Sequence, residues 1–126
     1  MNEGKIRVAV VDDDQSFARA IGRLLRAAGF ATAVYPSAEA FLQSHAAGPA
    51  NCLVLDIQLG GMSGLDLGRR LAGMGAKIPV IFVTALDDEG HGLEARRIGC
   101  LACLHKPVSG RLLVETIRRA VNLPLA

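Results

Sequence analysis

Tryptophan is absent from the 126 residues, tyrosine occurs once and phenylalanine four times. So few rings provide no stacking platform for single-stranded nucleic acid. An excess of one charge is also lacking. Fourteen basic against twelve acidic residues leave +2, too little to argue for a polyanionic partner. Arg69-Arg70, Arg96-Arg97 and Arg118-Arg119 fall on three predicted helices and read as solvated helix faces. No apolar run approaches the ~20 residues that a membrane-spanning helix needs. Met1-Asn2-Glu3-Gly4-Lys5 leads straight into a predicted strand, unlike a secretory leader. A cytoplasmic protein with no membrane partner is expected. The three cysteines, an odd number, argue against a disulfide framework. Cys100-x-x-Cys103 has the spacing of a redox pair but falls in an apolar predicted strand, where residues three apart point to opposite faces about 10 Å apart. The same geometry disfavours Cys100, Cys103 and His105 as a metal site, so the cysteines read as small buried hydrophobes.

What the chain has in quantity is apolar sequence: 51% hydrophobic residues and a mean hydropathy of +0.33. That fits one domain whose sheet is covered on both faces. Strand and helix patterns alternate five times. The spacing predicts strands at Arg7 to Val11, Ala31 to Tyr35, Cys52 to Asp56, from about Val80 to Thr84, and Leu101 to His105. A first helix carries Phe17, Ala20, Ile21, Leu24, Leu25 and Ala28 on one stripe and closes at Gly29. Pro36-Ser37 opens a second with Ala38, Phe41, Leu42 and His45 inward, and Gly48-Pro49 breaks the chain after it. After the loop Gly60 to Gly64, Leu67, Leu71 and Met74 mark a third, ended by Gly73 and Gly75. Asp87-Asp88 can cap a fourth, which Gly90 and Gly92 loosen at about 1 kcal/mol each and Gly99 ends. Ser109 starts a fifth with Leu113, Ile117, Ala120 and Val121 inward, stopped by Asn122-Leu123-Pro124. Strands alternating with helices imply right-handed βαβ units and a doubly wound α/β sheet.

Four of the five strands end on residues suited to phosphoryl chemistry: Asp12-Asp13, Asp56, Thr84 and Lys106. In open parallel sheets ligands sit outside the carboxyl ends of the strands. Three carboxylates brought together there are costly unless neutralised, and a hard cation such as Mg²⁺ is the natural remedy. Phosphoryl transfer asks the protein mainly for positioning and charge stabilisation. Lys106 offers a point charge and Thr84 a hydroxyl. Asp56 ends the most apolar run and precedes a glycine-rich loop open to a donor, which favours it as nucleophile. Asp13 then serves as direct metal ligand and Asp12 acts through a bound water. Each aspartate taken singly also suits a helix cap or turn.

Val11-Asp12-Asp13-Asp14, Asp56 followed by Met62-Ser63-Gly64, Val83-Thr84-Ala85 and Lys106-Pro107 resemble, in that order, the receiver domain of bacterial two-component response regulators. Ser37-Ala38-Glu39-Ala40-Phe41-Leu42 and Met62-Ser63-Gly64-Leu65-Asp66-Leu67 resemble the FixJ-type subfamily. The likeness runs from about Arg7 to Val121. It implies a (βα)5 flavodoxin-like fold with strand order 2-1-3-4-5. It also implies phosphotransfer from a sensor histidine kinase to Asp56, with Asp12, Asp13, Asp56 and the carbonyl of Gln58 around Mg²⁺. Thr84 and Lys106 would contact the phosphoryl group, and Lys106-Pro107 is often cis in the family. A single receiver domain over residues 1–126, signalling rather than enzymatic, with no output domain and no direct nucleic-acid binding, is the resulting expectation. The helix 4/strand 5/helix 5 surface is expected to change on phosphorylation, and helix 4 with strand 5 is a candidate homodimer face.

Three positions depart from the family pattern. Gly60 replaces a usual proline, which predicts a more mobile loop. Cys103 stands where an aromatic residue or histidine usually swings inward, so a population shift in helix 4 and strand 5 is expected instead. Leu86 replaces a frequent polar residue and predicts slow self-dephosphorylation. Two other readings compete. Asp12-x-Asp14-x-Ser16 resembles the opening of haloacid-dehalogenase-type phosphatases, but only Glu115 follows Lys106 where that family needs an acidic pair. A phosphorylation-independent module with the same fold is the other.

Overall fold

The structure, a computed structural model, describes residues 5–45, 50–75, 77–85 and 89–122. Leu86, the expected cap Asp87-Asp88, the break at Gly48-Pro49 and the stop at Leu123-Pro124 lie outside these residues, as does the side chain of His45.

The chain alternates β1 (Arg7–Val11), α1 (Gln15–Ala27), β2 (Ala31–Tyr35), α2 (Ala38–His45), β3 (Cys52–Asp56), α3 (Gly64–Gly73), β4 (Val80–Thr84), α4 (Glu89–Ile98), β5 (Ala102–His105) and α5 (Gly110–Asn122). The strands form one sheet in the order β2-β1-β3-β4-β5, and all four pairings are parallel. This is the doubly wound sheet expected from the alternation, in the flavodoxin-like order that the resemblance implies. Burial explains why the strands read as unbroken apolar runs: β3 and β4 are buried at every position, whereas the edge strands β2 and β5 are largely half-buried. Side chains alternate between two cores. Ala9, Val11, Leu53, Leu55, Val80 and Phe82 join Phe41, Leu67 and Leu71 of α2 and α3. Val8, Val10, Cys52, Val54, Ile81 and Val83 join Ile21 and Leu25 of α1 and Leu113 and Ile117 of α5. Each fully buried Leu, Ile or Phe contributes roughly 1.5–3 kcal/mol.

Several local expectations are corrected. In α1 the face on the sheet is Ala18, Ile21, Gly22 and Leu25. Of the expected stripe only Ala20 is exposed, while Phe17, Leu24 and Ala28 pack partly buried against the same core. The chain turns out of α3 at Met74, the C-cap, and Gly75 has a positive φ of 76°. Met74 is therefore 61% exposed rather than packed inward. α3 begins earlier than the glycine-rich stretch suggests, at Gly64, because the Ser63 hydroxyl accepts from the Asp66 N–H at 3.1 Å. β5 begins at Ala102, one residue late, and Leu101 is 39% exposed. The opposite-face argument for Cys100 and Cys103 fails because it needs residue 100 inside the strand. Cys100 precedes the strand, so strand parity does not relate the two, and both thiols pack against the same α2–α3–α4 core. Both are free and only partly buried, and burial pushes both thiols up.

The arginine pairs do lie on exposed helix faces. Arg69 bridges Asp66 of its own helix and Glu94 of α4, tying α3 to α4. Among the described residues no helix is long and apolar enough to cross a membrane.

Candidate functional site

The four strand ends meet at one edge of the sheet. β1 and β3 are neighbours with Val11 opposite Leu55, so Asp12, just past β1, and Asp56, the last residue of β3, fall side by side. β4 continues the edge with Thr84, and Thr84 pairs with His105 of β5, which leaves Lys106 one residue beyond. The Lys106 N–H donates to the Thr84 carbonyl at 2.8 Å, and the Lys106-Pro107 peptide is cis.

Carboxylate oxygens of Asp12, Asp13 and Asp56 lie within 4.8 Å of one another, the one such cluster of metal-binding side chains among the described residues. Asp12 and Asp56 are buried and Asp13 is exposed. Lys106 Nζ approaches Asp12 Oδ2 at 2.9 Å and Asp56 Oδ2 at 3.5 Å, and lies 4.3 Å from the centroid of the Phe17 ring. Burial pushes the Asp56 carboxyl up and the Asp12 charge adds to this, taking it to about 6 despite the Gln58 N–H and Lys106. The lysine is also shifted up, which for a cation favours the charged form. Burial opposes its charge, but the Asp12 hydrogen bond and the Asp56 charge outweigh burial and hold its pKa above the ordinary value. The lysine is thus a fixed internal counter-ion to two carboxylates.

A cleft of about 580 Å³ opens over this cluster, lined by Asp13, Asp14, Asp56, Gln58, Ser63 and Lys106 among others. Hard oxygen donors in this number suit a hexacoordinate cation that keeps several waters. Thr84 is 2% exposed and its side chain is not among those lining the cleft. Gln58 is exposed at the rim, its N–H donating to Asp56 Oδ1 at 3.1 Å.

The room for this geometry comes partly from Gly64. A Cβ there would lie 1.9 Å from the Asp56 carbonyl oxygen and 2.8 Å from its carbon, so α3 can start against the end of β3 only with glycine. Asp14 lines the cleft but also caps α1, its Oδ1 accepting from the Phe17 N–H at 3.1 Å. Glu115, the acid a phosphatase reading would need, is exposed on α5 with Arg111 3.5 Å away. Sequence reasoning did not anticipate the Phe17 ring over Lys106. A lone aromatic in the first turn of a helix after an Asp run was the available signal. It also missed Glu39, whose Oε2 accepts from the Met62 N–H at 3.0 Å across 23 residues.

A doubly wound parallel sheet in this strand order, with clustered acids and a lysine on its carboxyl edge, defines the class of flavodoxin-like α/β domains. Within that class, the chain belongs to the response regulator receiver domain family, which matches residues 8–118. It is 34% identical over 123 residues to the response regulator protein TmoT of Ectopseudomonas mendocina, covering 98% of this chain and 56% of that protein. It is 36% identical over 118 residues to nodulation protein W of Bradyrhizobium diazoefficiens, covering 94% of this chain and 52% of that protein. The crystal structure of FixJ-N superposes with a TM-score of 0.86 at 31% identity, over 94% of each chain. The chain spans about half the length of the curated relatives it matches. It is a signalling domain of two-component systems.

Proposed function

We propose that this receiver accepts a phosphoryl group on Asp56 from a sensor histidine kinase. The observation that carries the reading is the cluster itself: Asp12, Asp13 and Asp56 within 4.8 Å, Lys106 between two of them, and Asp56 opening onto the cleft. An Asp56 oxygen forms a bond to phosphorus as the P–N bond of the kinase's phosphohistidine breaks, and the imidazole leaves with a proton. With its carboxyl near 6, Asp56 is mostly ionised above pH 7 and available to attack. Asp12, Asp13, Asp56 and the Gln58 carbonyl would hold Mg²⁺. The ion supplies positive charge against both the carboxylates and the incoming phosphoryl oxygens. Lys106 leaves Asp56 to contact the phosphoryl group while keeping Asp12, and Thr84 donates its hydroxyl to a phosphoryl oxygen after moving toward the cleft.

The response reaches the α4/β5/α5 surface as a shift in population. Cys103 is half-buried against the α3–α4 core and sweeps little area, whereas the Arg69–Glu94 bridge couples α4 to α3. The same surface is the candidate homodimer face. The domain works in the cytoplasm as a receiver module, alone or joined to an output domain, and contacts protein rather than nucleic acid. Intact mass after incubation with Mg²⁺ and acetyl phosphate tests the reading. One phosphoryl group should be gained, only with Mg²⁺, and Asp56→Asn should abolish the gain. A folded wild type that gains nothing would assign a phosphorylation-independent module. A gain surviving in Asp56→Asn would move the acceptor to another aspartate.

A further inference from the structure

The loop after Asp56 carries the Gln58 carbonyl, and its amides are held in an alternating series. The N–H of Gln58 donates to Asp56 Oδ1 at 3.1 Å, that of Gly60 to Asp13 Oδ2 at 3.4 Å, and that of Met62 to Glu39 Oε2 at 3.0 Å. The N–H of Gly64 then donates to the Ile57 carbonyl at 2.9 Å. Two of these four acceptors, Asp13 and Asp56, are carboxylates that the proposed chemistry claims. Glu39 is different. It stands in the first turn of α2 and does not line the cleft, so its contact is not in competition with a cation.

From this series we infer that Glu39 is a positioning residue that anchors the 58–63 loop from α2 and so presents the Gln58 carbonyl for cation binding. The inference rests on the reading of the site given above. Gly61 shows how closely the two segments meet. It has φ +73°, and a Cβ there would lie 2.8 Å from Glu39 Oε2. The Met62 N–H in turn holds the Glu39 carboxyl below its ordinary range. The loop has Gly60-Gly61 rather than a stiffening proline, so an external anchor has more to restrain. Once Asp13 turns to a cation, the Gly60 contact weakens and Glu39 with the Ile57 carbonyl remains.

The test uses the whole chain and two readouts: amide hydrogen exchange without divalent cation, and Mg²⁺ titration followed by NMR. Glu39→Ala, exposed and in a helix, should fold normally. It should speed exchange at Met62 and weaken Mg²⁺ binding about 5-fold, whereas Glu39→Gln, which keeps an acceptor oxygen, should stay within about 2-fold of wild type. Gly61→Ala should cost more Mg²⁺ affinity with Glu39 present than in the Glu39→Ala background, because the collision disappears with the carboxylate while the backbone strain stays. Unchanged Met62 exchange in Glu39→Ala would overturn the anchor. Faster exchange with unchanged Mg²⁺ affinity would overturn the positioning role. A Gln variant as weak as Ala would replace the anchor with a long-range charge effect. A wild type that binds Mg²⁺ but takes no phosphoryl group would remove the proposed acceptor function and leave Glu39 to be judged on Mg²⁺ binding alone. A wild type that binds no Mg²⁺ would overturn both.

Discussion

Replacing Asp56 with asparagine should stabilise the domain at neutral pH. The Asp56 side chain is 7% exposed, and burial, followed by the Asp12 charge, takes its carboxyl from 3.8 to about 6. A folded-state pKa above the unfolded value means that the native state holds the proton more tightly. Stability is therefore fully present below about pH 4 and falls as pH rises through 6. At 1.36 kcal/mol per tenfold change in proton affinity, the penalty approaches roughly 3 kcal/mol by pH 7.5 and is a small fraction of that at pH 4. Asparagine removes the charge and keeps an oxygen for the Gln58 N–H, and Lys106 keeps Asp12 as partner. Urea unfolding followed by circular dichroism, with EDTA present, should show Asp56→Asn more stable than wild type by roughly 3 kcal/mol at pH 7.5 and nearly equal to it at pH 4. Saturating Mg²⁺ should shrink the difference at pH 7.5. A variant less stable at pH 7.5, or a difference independent of pH, would refute the claim that Asp56 is held ionised at a cost.

Four further substitutions probe neighbouring positions. Lys106→Met leaves the buried Asp12 and Asp56 facing each other and should cost about 3 kcal/mol at pH 7.5 without divalent cation, most of it regained with Mg²⁺; a loss indifferent to Mg²⁺ would contradict the counter-ion role. Gly64→Ala forces a Cβ to within 1.9 Å of the Asp56 carbonyl and should cost about 3 kcal/mol or more. Gly60→Ala, with nothing within 4 Å of its Cβ, should unfold close to wild type, and equal denaturation midpoints for the two would refute the close-contact reading. Leu86→Glu should shorten the half-life of the phosphorylated form about tenfold by giving the attacking water a partner; Phos-tag electrophoresis reads this, and an equal or longer half-life would sink it.

The sheet was legible because parallel strands buried on both faces must be apolar along their length, and Cys52 to Leu55 and Val80 to Val83 are. Their ends were legible for the same reason: a carboxylate or hydroxyl after such a run marks the carboxyl end of the strand. Details that depend on one residue of phase were not. Ala20 and Ala18 are indistinguishable by composition, yet only Ala18 faces the sheet. The relation of Cys100 to Cys103 turned on whether residue 100 belongs to β5, and it does not. The tertiary contacts of Glu39 with Met62 and of Phe17 with Lys106 leave no periodic trace, since each joins residues of ordinary type from distant parts of the chain.

All five strands run the same way, so the molecule has two poles with separate duties. The proposed chemistry is confined to one pole. The turns around residues 28–30 and 99–101 lie at the other, where changes in length or sequence leave the reacting groups untouched. α5 runs from the first pole to the second over 13 residues, about 20 Å. Whatever is joined to its far end therefore begins about 20 Å along the domain from the pole that carries Asp56.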